Sequence, residues 1–114
     1  MRIIFAGTPE FAIPSLNIFG NNELCAVITR PDHRFGRNTV VGNMAVRDTA
    51  MTRQLKILQP ERLDRNFTGQ VQRLQPDLLV AVAYGKIFRP YFIDVFPRGG
   101  VNLHPSLLPQ LRGP

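Results

Sequence analysis

Three short apolar runs constrain this chain more than any other feature: RIIFA at residues 2–6, LCAVIT at 24–29 and LLVAVA at 78–83. Their apolar residues are consecutive rather than alternating, so each run reads as a strand buried on both faces. Ile57-Leu58, just before Pro60, and Val101-Asn102-Leu103, opened by Gly99-Gly100, add two more strands. Between the strands lie stretches with helical spacing. Phe11, Leu16 and Phe19 follow the Gly7-Thr8-Pro9-Glu10 turn, with Pro14 marking where that helix properly begins and Gly20-Asn21-Asn22 ending it. Asn43 is placed to cap a helix over residues 44–55, with Met44, Val46, Ala50, Met51 and Leu55 available for its inner side. Residues 63–74 carry Leu63, Phe67, Val71 and Leu74 at helical spacing, weakened by Asn66, Thr68 and Gly69; residues 86–95 form a shorter helical stretch interrupted by Pro90. Strands alternating with helices pair in parallel through crossover connections. The expected fold is therefore α/β, a Rossmann-like, doubly wound, mostly parallel sheet. At 114 residues it makes one small domain and has no room for a second.

Charge and motif content narrow the function. Fourteen Lys and Arg against eight Asp and Glu leave a formal charge of +6, spread along the chain rather than gathered in a tail. Such a balance favours acidic partners, nucleic acid among them, and suits a solvated surface equally well. The single cysteine, Cys25, excludes an internal disulfide framework and fits a reducing cytoplasm; within an apolar run it reads as a buried structural thiol. The apolar run after Met1-Arg2 is too short for the core of a secretory signal, and no stretch approaches the length of a membrane span. The first strand-turn-helix stands where a dinucleotide-binding loop would, yet it has one glycine where GxGxxG needs three, and Glu10 would repel a pyrophosphate. His33 and His104 are far apart, with no second cysteine near either, so zinc-ligand spacing is absent. A serine in a nucleophile elbow is absent too.

Asn102-x-His104 is the pair left to carry chemistry. Residues i and i+2 of a strand face the same side, and this pair stands at a strand's carboxyl end, where open α/β sheets place their sites. An imidazole of near-neutral pKa can take a proton from an amine and return it to a leaving nitrogen, while an Asn side-chain N–H can donate to a developing oxyanion. Together they suit acyl transfer between two nitrogens. The same two side chains could equally do no more than satisfy backbone groups at a strand end.

The loop that follows extends the pair to Asn102-Leu103-His104-Pro105-Ser106-Leu107-Leu108-Pro109, with Arg112-Gly113 beyond it, and this resembles the signature of the 10-formyltetrahydrofolate-dependent formyltransferases. Gly7-Thr8-Pro9-Glu10-Phe11-Ala12-Ile13-Pro14-Ser15-Leu16 resembles the methionyl-tRNA formyltransferase branch of that family, as do Thr29-Arg30-Pro31-Asp32, Leu58-Gln59-Pro60-Glu61 and Ala83-Tyr84-Gly85-Lys86-Ile87. These segments span the chain in the family's order. The resemblance implies a formyl group moved from 10-formyltetrahydrofolate to the amino group of methionyl initiator tRNA, with no metal. It implies that Asn102 and His104 are catalytic, that Ser106, Leu107, Leu108 and Pro109 contact the folate, and that Tyr84 and Gly85 line its pterin pocket. In the same family the loop at residues 30–37 meets the tRNA acceptor end, which assigns Arg30, Arg34 and Arg37 to tRNA; a solvated surface loop is the alternative. The family further implies a cytoplasmic monomer. Leu111 departs from the aromatic residue usual before Arg-Gly. The family's third catalytic residue, an aspartate beyond the Arg-Gly, and its C-terminal tRNA-binding domain are not in these 114 residues. The chain is therefore expected to be the N-terminal part of the catalytic domain, with little activity of its own. The rivals are a formyltransferase acting on glycinamide ribonucleotide or an amino sugar, and a binding domain without catalysis.

Overall fold

The computed structural model describes residues 1–31 and 44–103. Its centre is β1 (Ile3–Gly7), all of whose residues are buried. β2 (Leu24–Ile28) lies on one side of β1 and β4 (Leu78–Val82) on the other; β3 (Ile57–Leu58) and β5 (Gly100–Leu103) form the edges, in the order β3-β2-β1-β4-β5. Every described pairing is parallel. The consecutive apolar runs thus sit where expected, in strands with both faces covered.

The chain leaves β1 through a single 3₁₀ turn (Glu10–Ala12) and enters α1 (Ile13–Leu16), with Pro14 in its first turn. α2 (Ala45–Thr52) follows β2, and these two helices cover one face of the sheet, Ala12, Leu16, Val46 and Ala50 packing on Phe5, Val27, Val80 and Val82. α3 (Arg65–Gln72) and α4 (Pro90–Ile93) cover the other, where Phe67, Val71, Phe92 and Phe96 meet Ile4, Ala6, Ile28, Leu79 and Ala81. Helices on both faces make the sheet doubly wound, and the winding reverses between β1 and β4.

Some local expectations need correcting. Pro90 does not interrupt a helix but begins one, because a residue without an N–H is harmless in the first turn. Met51 and Phe11 stand more than 40% exposed rather than inward; α2 presents only Val46 and Ala50 as fully buried residues. The expected cap Asn43 lies outside the described residues, and Met44 occupies the cap position. α3 starts two residues later than its apolar pattern because Asp64 caps it, the carboxylate accepting from the Phe67 N–H at 2.9 Å. Cys25 is half-buried, its thiol 3.4 Å from the Ile3 carbonyl, and burial pushes the thiol pKa up.

Candidate active site

β1 and β4 approach so closely that residue 7 must be glycine. A Cβ there would lie 2.9 Å from the Val82 carbonyl oxygen and 2.9 Å from the Phe5 ring. Beyond this point the strands give way to two turns, one starting at Thr8 and one at Ala83. The end of β2 closes against the first, the Arg30 N–H donating to Thr8 Oγ1 at 3.2 Å. Arg30 then reaches the second: its Nη1 would stand 3.3 Å from a Cβ on Gly85, whose φ of +93° already favours glycine.

One strand away, between β4 and β5, a cavity of about 620 Å³ opens at the carboxyl end of the sheet. Sites for small organic ligands occupy roughly 300–1,000 Å³. Register explains why the space is there. Leu79 pairs with Gly100 and Ala81 with Asn102, and parallel partners share a face, so these four line the floor on the side of α3 and α4. Ala81 carries only a methyl group and leaves the space above it open, whereas Gly100 is already covered, since a Cβ there would touch Ile93 Cδ1 at 3.4 Å and Leu79 Cδ2 at 3.6 Å. Ala83 and residues 84–88 form the opposite wall, with Ile87 88% exposed at the rim.

Asn102 is exposed at the cavity's edge, its amide free of described partners within the site. It is the one sequence-assigned catalytic residue inside the described residues. His104, Ser106, Leu107, Leu108 and Pro109 lie outside them, as do Arg34 and Arg37. Tyr84 and Gly85 line the cavity together with Asn102. Arg30 does not line it; it borders the site over Gly85, between the Thr8 turn and the start of the loop assigned to tRNA. Tyr84 is 3% exposed, and its hydroxyl has no hydrogen-bond partner among the described residues. Burial pushes its pKa up to about 12, with the Arg30 charge pulling weakly the other way, so the phenol stays a neutral O–H donor at physiological pH.

The sequence did not single out Lys86, Phe88, Ile93, Ala81 or Gly100 as site residues. Lys86 belongs to the wall and ties it to the far edge of the sheet, Nζ donating to the Glu61 carbonyl at 3.0 Å. The retrievable signal was Ala81 near the end of β4 and Ala83 just past it, next to a glycine-opened strand. Among the described residues no cluster of His, Cys, Asp or Glu could hold a metal ion, and no helix is long and apolar enough to cross a membrane.

Comparison with known proteins bears on what fills such a cavity. The model of the formyl transferase family matches residues 1–114, the whole chain. This chain belongs to the formyl transferase family. Among curated relatives, the methionyl-tRNA formyltransferase of Treponema denticola is 42% identical over all of this chain and 38% of its own length. Those of Acetivibrio thermocellus and Moorella thermoacetica are each 44% identical over 99% of this chain and 37% of their own lengths. This formyl transferase chain therefore spans little more than a third of the length of the relatives it matches.

Proposed function

We propose that this chain is the donor-binding part of a formyltransferase catalytic domain, one that moves a formyl group from 10-formyltetrahydrofolate to the α-amino group of methionyl initiator tRNA. The observation that carries this is the cavity between β4 and β5, with Asn102 at its edge, in a chain that matches the formyl transferase family from end to end. That the relatives are methionyl-tRNA formyltransferases supports the choice of acceptor.

In this reading the folate's flat pterin ring occupies the cavity, between the floor of Ala81 and Gly100 and the wall at residues 83–88. The amine attacks the formyl carbon, a C–N bond forms, and the formyl oxygen becomes an oxyanion that accepts from the Asn102 amide. The bond to the folate nitrogen then breaks, and the proton lost by the amine passes to that nitrogen. His104, two residues along the chain, is the group assigned to carry it. Holding amine and formyl carbon in contact supplies much of the rate, and no metal takes part. Arg30, Arg34 and Arg37 are assigned to the tRNA, Ser106, Leu107, Leu108 and Pro109 to the folate. The protein is taken to act as a monomer in the cytoplasm.

The test is formylation of methionyl initiator tRNA, measured in this chain and in the longer protein of which it would be the N-terminal part. Asn102→Ala in the longer protein is expected to lower turnover by about two orders of magnitude. Near-normal turnover in that variant would remove Asn102 from the mechanism. Binding of tRNA that weakens steeply with salt would separate this acceptor from glycinamide ribonucleotide or an amino sugar.

A further inference from the structure

The wall of the cavity at residues 83–88 holds an unusual shape with little backbone support. Ala83, a residue with a side chain, has φ of 53°, and Gly85 has φ of 93°. A non-glycine residue persists in the left-handed region only where its surroundings over-determine it. Here the surroundings are chiefly aromatic. The Tyr84 and Phe88 rings stack at 5.4 Å between centroids and 15° between planes, and Phe88 stacks in turn on Phe92 at 4.9 Å and 16°. Phe92 is fully buried and lies against Phe67 of α3 at 5.9 Å and 8°. A ladder of four rings thus runs from the wall of the site into the core. The Lys86 tie to the Glu61 carbonyl is the one side-chain hydrogen bond that the wall makes to another element among the described residues. Phe88 is the rung that matters most for the site. It is half-buried, it lines the cavity, and among the described ring pairs it is the one that stacks on both Tyr84 and Phe92.

We propose that Phe88 is a positioning residue for the folate donor: stacked between Tyr84 and Phe92, it holds residues 83–87 in the left-handed turn that walls the cavity opposite Asn102. This rests on the assignment of the cavity to 10-formyltetrahydrofolate. Phe88 acts on binding rather than on the chemical step, because Asn102 belongs to β5 and is paired in register with Ala81, which the ladder does not include. Losing the ring frees Ala83 to return to an ordinary φ, and the wall then no longer presents one surface to the ligand.

The experiment is calorimetric titration of the chain with 10-formyltetrahydrofolate, alongside thermal unfolding, for the unaltered protein and for Phe88→Leu, Phe88→Tyr and Phe96→Leu. Phe88→Leu keeps an apolar side chain but not the stack, and is expected to weaken binding about tenfold, the factor one aromatic pair is worth. Phe88→Tyr keeps the ring and is expected to bind like the unaltered chain. Phe96, tilted at 59° on Phe92 and outside the four stacked rings, does not line the cavity. Its leucine variant is expected to lose thermal stability without losing affinity, which separates positioning from general core damage. If the unaltered chain binds and Phe88→Leu binds within about twofold of it, Phe88 does not position the ligand. If Phe96→Leu weakens binding as much as Phe88→Leu, the ladder serves the core alone, and the proposal is overturned likewise. If the unaltered chain gives no binding heat with 10-formyltetrahydrofolate, it is the assignment of the cavity that fails, and the role of Phe88 fails with it.

Discussion

At the scale of single residues, Tyr84 presents the sharpest imbalance. A buried hydroxyl without a partner forfeits its hydration and gains nothing in return, a cost of about 1–3 kcal/mol. Tyr84→Phe keeps the ring that stacks on Phe88 and removes the orphaned group, so the variant is expected to be more stable by about 1 kcal/mol at neutral pH. Alkaline pH adds a second signature. The folded phenol titrates near 12, above its ordinary value of 10. Between those values the unfolded chain releases the proton while the folded chain keeps it, so the unfolded state binds fewer protons and stability falls as pH rises. Below pH 10 both states are protonated and this contribution is level. Melting curves from neutral pH through the alkaline range should therefore show an extra loss in the unaltered chain that Tyr84→Phe lacks. Parallel curves for the two would mean the hydroxyl is hydrated or bonded in solution.

At the scale of elements, the meeting of β1 and β4 sets the turns that border the site, whose cavity opens one strand away between β4 and β5. The reversal of winding falls between β1 and β4, and each of these strands must end in a turn that leaves its carboxyl end open. Gly7 lets the two strands close. Gly7→Ala would push a methyl group against the Val82 carbonyl and the Phe5 ring, both at 2.9 Å, and Phe5 is fully buried with no room to yield. The expected cost is about 1–3 kcal/mol, read as a lowered midpoint in denaturant with an unchanged slope; a midpoint equal to that of the unaltered chain would contradict the close approach. Strands of this kind are readable from sequence because burial on both faces leaves them nothing but apolar residues, as in residues 2–6, 24–29 and 78–83. Helix ends are harder. Met51 and Phe11 fit an apolar period yet face solvent, since periodicity records spacing and not whether a neighbouring element is there to cover the side chain. Asp64 was readable as a cap in principle, a short acidic residue three positions ahead of Phe67 and just after Leu63.

At the scale of the whole molecule, half of the site was legible and half was not, for one physical reason. Asn102 was marked by its place at a strand end and by the family resemblance of the loop that follows it, since an Asn-x-His pair alone suits backbone bonding equally well. The cavity beside it opens over the small side chain of Ala81, and that smallness acquires meaning only once the register of β4 and β5 sets Ala81 beside Asn102. The aromatic ladder is similarly silent, because its link from Phe92 to Phe67 joins positions far apart in the chain. What the assembled molecule presents is one apolar cavity at the carboxyl end of the sheet, an amide at its edge, and two cationic side chains, Lys86 and Arg30, bordering the wall. The proposed occupant of this cavity is a formyl folate, and amide-resolved magnetic resonance titration with 10-formyltetrahydrofolate puts that occupancy to the test. The expected result is saturable shifts gathered at Ala81, Gly85, Ile87 and Asn102, with the α1 and α2 face undisturbed. Shifts confined to that other face, or none at saturating ligand, would contradict it.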